Sequence, residues 1–144
     1  MENQLHLCPC CSGNAYDNCC KPFHTGSRPE NALQLMRSRY AAYALNIASY
    51  IIATTHTANP QYSKNMLSWK RSISQFSHST TFHRLEIIDF KENALWATVT
   101  FTACLSQDTR DTTFTERSHF EKVKGAWLYR DGSLAQGHQT PPSW

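Results

Sequence analysis

Five of the six cysteines in this chain fall between Cys8 and Cys20, in the run CPCCSGNAYDNCC, and no other feature restricts the possible structures as much. A segment this short cannot bury a useful apolar core, so its fold has to come from cross-links or from a metal. Disulfides suit it poorly. The sixth thiol, Cys104, stands alone in a β-like stretch, and Met1 to Leu7 lacks the basic and apolar segments of a secretion signal. Clustered thiols in such a chain read as metal ligands.

Zinc takes about four soft or borderline donors in a tetrahedron. Cys8-x-Cys10 and Cys19-Cys20 supply them as two close pairs; Ser12-Gly13 can turn the chain between the pairs, and Tyr16 can pack over the site. Five thiols compete for four places, however. Cys8-x-x-Cys11 is an equally good pair with the commoner spacing, and His24 is a substitute donor. The competing reading is a set of free thiols or a redox pair, and the paired spacing favours zinc over it. Four thiolates leave no open position for water, so the expected zinc is structural.

Beyond the cysteines the chain changes character. Thr25-Gly26-Ser27-Arg28-Pro29 reads as a linker, which divides the sequence into a knuckle over residues 1–26 and a larger domain over 27–144. From Pro29 to about Leu45, the residues Leu33, Met36, Tyr40, Tyr43, Ala44 and Ile47 recur at helical spacing. A second helix is expected over Ile47 to Thr54 with Asn46 as its cap. A third, opened by Asn59-Pro60, carries Met66, Trp69, Ile73 and Phe76. After Ser79 the period becomes two, most clearly in Leu95, Ala97, Val99, Phe101, Ala103 and Leu105. Further strands are expected at Thr81 to Phe90, Thr112 to Val123 and Ala126 to Asp131, and the last three strands should form an antiparallel meander with a tight Lys124-Gly125 turn. Helices followed by strands imply an α+β fold in which helices cover one face of a curved antiparallel sheet. The segment Leu134 to Trp144 gives no periodic signal.

With 144 residues, 40% of them hydrophobic and 12% aromatic, the chain can fill one main core. No apolar run approaches the roughly 18–20 residues of a membrane span, so no membrane association is expected, and the expected compartment is the cytoplasm. A formal charge of +3, spread over scattered basic residues, is too weak to argue for nucleic acid, and binding through Lys21, Arg28, Lys64, Lys70 and Arg71 ranks last.

The pattern C-P-C-x-S-G-x-x-Y-x-x-C-C resembles the SEC-C motif, a zinc-binding segment also found at the tail of the SecA translocation ATPase. The resemblance assigns zinc to Cys8, Cys10, Cys19 and Cys20, with Cys11 standing where the motif usually has Gly. Further blocks resemble the YchJ family: Leu35-Met36-Arg37-Ser38-Arg39-Tyr40-Ala41-Ala42-Tyr43, Tyr50-Ile51, Thr55-His56, Glu116-Arg117-Ser118-His119-Phe120 and Trp127-Leu128-Tyr129-Arg130-Asp131-Gly132. That resemblance implies an N-terminal SEC-C motif followed by a domain similar to nuclear transport factor 2, a cystatin-like cone of helices wrapped on a bent sheet. Many relatives end in a second SEC-C motif. This chain runs out at Gln139 to Trp144 without one, so a single zinc site is expected.

In the larger domain, Arg37 falls on the helical stripe of Leu33, Tyr40 and Ala44, and an inward guanidinium needs a partner. Glu116, between Phe114 and Ser118 on one strand face, is the expected one. The pair would line the cone near Tyr40, Trp127 and Tyr129, either as part of a ligand pocket or, the stronger reading, as an ion pair that only fixes how helix and sheet dock. His56 is placed as a base at a pocket mouth or, more often for a His after a helix, as a cap. Asp131, followed by Gly132, reads as a turn residue. No Ser-His-Asp arrangement, phosphate loop or nucleotide fingerprint is present.

Two classes of function remain. The first is a zinc-stabilised binding or adaptor protein, not an enzyme, with a protein partner at the knuckle. The alternative is a small-molecule enzyme or carrier that uses the cone's cavity through Arg37, His56 and Glu116.

Overall fold

Alternation from Trp96 onwards places Ala97, Val99, Phe101, Ala103 and Leu105 on one face of a strand, and in the computed structural model all five are buried. The structure describes residues 6–136, with backbone only for the last two. Its strands are β1 (Thr81–Glu92), β2 (Trp96–Gln107), the two-residue β3 (Arg110–Asp111), β4 (Phe114–Val123) and β5 (Ala126–Gln136). They pair antiparallel in the order β1-β2-β4-β5, with β3 beside β2. The turn into β5 has positive φ at both Lys124 (51°) and Gly125 (83°), as a tight two-residue hairpin requires. β5 does not stop at Asp131: Asp131 pairs with His119 inside the ladder, and the strand runs on past Gly132.

The helices precede the sheet as α1 (Lys21–His24), α2 (Ala32–Ala44), α3 (Ala48–Ala53) and α4 (Met66–Ser79). α2 starts at Ala32 rather than at Pro29, and Asn31 caps it, with its Oδ1 accepting from the Gln34 amide at 2.8 Å. Asn46 ends α2 rather than starting α3: it sits at φ 58°, and Ile47 N–H reaches back to the Ala42 carbonyl. The third long helix opens at Asn65, whose Oδ1 accepts from Ser68 N. Asn59, expected to open it, instead closes an Asx turn onto Gln61 N and donates to the Arg130 carbonyl.

The apolar face of β1, β2, β4 and β5 and the α2 residues Ala32, Leu35, Met36 and Tyr40 form the main core, to which Phe120 and Trp127 also belong. Truncating such a side chain costs on the order of 3–5 kcal/mol. The opposite face of the sheet is polar, and its Thr102 and Thr115 hydroxyls pair at 2.8 Å. Past α3 the chain lies along the outer edge of β5, where His56 N–H donates to the Tyr129 carbonyl and Tyr129 N–H to that of Thr54. Among the described residues, no helix is long and apolar enough to cross a membrane.

Candidate metal centre

The cysteine segment folds back on itself. Leu7 and Ala15 form an antiparallel bridge, and the chain turns between them through Cys11 (φ 65°) and Gly13 (φ 89°). A single turn of 3-10 helix, Tyr16–Asn18, then delivers Cys19 and Cys20 to the start of α1. The Sγ atoms of Cys8, Cys10, Cys19 and Cys20 all lie within 4.8 Å of one another, with 3.5 Å between Cys10 and Cys19 and 4.0 Å between Cys19 and Cys20. Tetrahedral thiolates at about 2.3 Å from an ion stand roughly 3.8 Å apart, so these residues fit one ion with little movement. None of the cysteines is in a disulfide.

Electrostatics inside the cluster are uneven. The hydrogen bond from Cys20 draws the Cys10 thiol down to about 4. Burial pushes Cys8 up to about 11, and Cys20 is raised because it holds a proton against Cys10. One thiolate is thus stabilised by its neighbours' protons. A cation bound among four sulfurs supplies that stabilisation to all of them.

The rival ligands stand apart. Cys11 is exposed, its Sγ 3.5 Å from the Pro9 carbonyl, and its left-handed backbone is the conformation for which Gly is the usual choice. His24 has both ring nitrogens engaged: Nε2–H donates to the Ser38 carbonyl at 2.8 Å, and Nδ1 accepts from the Tyr16 hydroxyl at 2.7 Å.

The cluster is seated on α2. Ala41, fully buried, packs against Cys8, Cys10 and Cys20, and Arg37 Nη1 donates to the Cys10 carbonyl at 2.8 Å. Arg37 therefore faces the knuckle and makes no pair with Glu116. The inward arginine is Arg39, 8% exposed, which donates to the Ile51 carbonyl, Thr54 Oγ1 and Thr55 Oγ1, with its guanidinium 4.6 Å from the Tyr129 ring centre. The signal for it was present in the sequence. Ala32, Leu35, Met36, Arg39 and Tyr40 share a stripe spaced by threes and fours that coincides with the residues packed on the sheet. Glu116 Oε2 accepts instead from Ser118 and from the Tyr129 hydroxyl at 2.8 Å, and burial raises Tyr129's pKa.

The remaining pocket residues are dispersed. Tyr40 and Trp127 are core residues, and neither Tyr40 Oη nor Trp127 Nε1 finds a hydrogen-bond partner. His56 reaches Glu121 at 2.8 Å through Nε2, and Arg130 holds the same carboxylate oxygen at 2.9 Å. These side chains do not converge on a shared space. Two open clefts lie outside the cone: one of 390 Å³ beside Cys104 and Asp111, and one of 410 Å³ between the linker before α2 and the start of β5.

Over residues 31–132 the chain matches the family model described as "YchJ, middle NTF2-like domain". It is 34% identical over 140 residues to a UPF0225 protein of Actinobacillus succinogenes, covering 94% of this chain and 87% of that one. To a UPF0225 protein of Haemophilus influenzae it is 36% identical over 132 residues, covering 89% and 78% of the two chains. The solution structure of a SEC-C motif containing protein from Rhodopseudomonas palustris aligns with a TM-score of 0.74 at 31% identity, over 88% of this chain and 96% of that one. A crystal structure of a SEC-C motif containing protein from Psychrobacter arcticus gives a TM-score of 0.72 at 25% identity, over 92% and 84%.

Proposed function

The chain belongs to the YchJ family, and from that premise we propose that it is a zinc-bearing binding or adaptor module whose knuckle and cone together engage another protein. Zinc is the ion the donor set favours, because four clustered thiolates suit it and make a closed, structural site. Its ligands are Cys8, Cys10, Cys19 and Cys20. Six unpaired thiols suit a reducing compartment, which supports a proposed location in the cytoplasm.

The observation that carries this reading is that the polar groups on the cone's inner face are engaged within the fold. Arg39, Tyr129, Glu116 and Ser118 satisfy one another around packed side chains, and the open clefts lie elsewhere. A general acid or base needs reach to a substrate, and here the polar groups reach only each other. The alternative, a small-molecule enzyme or carrier, draws support from the unpartnered Tyr40 hydroxyl and Trp127 indole in the core.

Metal analysis of the purified chain tests the centre. About one zinc per chain is expected, lost in Cys10→Ser and kept in Cys11→Ser, and the reverse pattern overturns the ligand set. Aromatic NMR signals of Tyr40, Phe101 and Phe120, followed while mixtures of common metabolites are added, test the cone. Silence supports the adaptor; saturable shifts there favour the carrier or enzyme.

A further inference from the structure

We propose that the 410 Å³ cleft between the linker and the start of β5 is a docking site for an acidic segment of a partner protein whose carboxylates are flanked by apolar side chains. This rests on the adaptor reading and names its surface. Phe23, Pro29, Ala53 and Leu128 give the cleft apolar walls, and its volume lies in the range of about 300–1,000 Å³ typical of ligand sites.

One observation gives the occupant its charge, and two more describe the walls around it. No carboxylate lines the cleft, while Arg28 does, and this exposed guanidinium has neither an ion-pair nor a hydrogen-bond partner among the described residues. It lies along the β4–β5 turn, where a Cβ at Gly125 would come within 3.3 Å of Nη1, so the glycine leaves it room at the mouth. In the wall, Trp127 is 3% exposed and its Nε1–H has no acceptor. That nitrogen has no surface open to solvent, so Trp127 gives the wall an aromatic ring rather than an accessible donor.

Basic residues predominate in the surroundings, although Glu30 follows Pro29 and Glu121 stands opposite Leu128 in the β4–β5 ladder. From Asn31 through Leu85 the sequence contains no Asp or Glu, so α2 and α4 carry Arg37, Arg39, Lys70 and Arg71, and the loop before α4 carries Lys64, without a single carboxylate. The acidic residues beyond Leu85 belong to the sheet and its turns. Lys122, over the Trp127 ring at 5.6 Å, and the exposed Lys124 extend the positive sign to the hairpin beside the cleft. Such a field draws acidic partners and fixes their register. Nucleic acid would call for a row of phosphate-binding cations along the groove, and a lone arginine among apolar walls is a poor substitute.

The test uses the full zinc-loaded chain and amide and indole NMR. The probe is a short capped peptide that alternates leucine with aspartate and glutamate; the control carries asparagine and glutamine instead. The acidic probe should saturably shift the Trp127 indole proton, identified by its loss in Trp127→Phe, together with the Ala53 and Leu128 amides. Arg28→Gln, or the neutral control, should weaken binding roughly tenfold, with the rest of the spectrum unchanged. Equal binding of both peptides, shifts confined to another surface, no effect of Arg28→Gln, or tighter binding of an oligothymidylate each overturns the proposal. Loss of the cleft leaves the adaptor reading standing if the cone stays silent to metabolites, whereas cone shifts sink the adaptor whatever the peptide does.

Discussion

The carbonyl of Cys10 accepts a hydrogen bond from Arg37 Nη1 at 2.8 Å, so α2 holds the backbone of the clustered-cysteine segment. Hydrogen bonds from charged donors contribute about 1.5–3 kcal/mol, and half-exposure puts this one at the lower end. Arg37→Ala is expected to lower stability in urea by about 1–2 kcal/mol and to weaken zinc affinity against a competing chelator. Unchanged zinc affinity would mean that knuckle and helix are not coupled.

Cys11 pays a steric penalty at φ 65° that Gly avoids. Cys11→Gly should leave zinc stoichiometry intact and raise the denaturation midpoint by the equivalent of about 0.5–1 kcal/mol. A loss of metal would return Cys11 to the ligand set.

Arg39 is buried and meets three oxygens and an aromatic face. Arg39→Leu strands those oxygens and should cost roughly 3 kcal/mol in equilibrium unfolding. Arg39→Lys should recover less than half of that, since an ammonium cannot present the planar fork. Full rescue by lysine would show that charge alone matters here.

Burial lowers the pKa of His24 from its ordinary 6.5, and its bond to Ser38 opposes this only in part. The folded chain thus keeps the ring neutral where an unfolded chain would protonate it. Its contribution is complete above 6.5 and is lost as pH falls through the lower folded value. Between about pH 7 and 5 the wild type should lose stability more steeply than His24→Gln, and equal slopes would exclude the ring as the cause.

Gly132 packs against Glu116, and a Cβ there would fall within 3.0 Å of three Glu116 side-chain atoms. Gly132→Ala should cost roughly 1–3 kcal/mol, and much of that cost should vanish in a Glu116→Ala background. Additive costs would place the strain in the backbone instead.

What was legible in the sequence is what one periodicity governs. The strand from Trp96 to Gln107 buries one apolar face and alternates accordingly, and the paired thiols sit together in space as they do in the chain. α2 was harder because it is covered on nearly every side, by sheet, by α3 and α4 and by the knuckle, so several stripes fit it. The one through Leu33 and Tyr40 drew in Arg37; the one through Leu35 and Met36 contains Arg39. Asn59 and Asn65 are both good caps by type, and only tertiary contacts decide that Asn59 is held by Arg130 while Asn65 opens the helix. The charge segregation was equally open to reading, but as residues missing from Asn31 to Leu85 rather than as a cluster present.

The strap that Thr54 and His56 lay along β5 bears on how the protein behaves at high concentration. An open strand edge is a template for self-assembly into extended ribbons. Here the strap occupies part of one edge, while β1 at the other is broken by irregularities near Phe82 and Ile87 and carries Arg84, Glu86, Asp89 and Lys91. Neither border offers a flat, apolar ladder to a second copy, which should keep the folded chain from polymerising through its sheet.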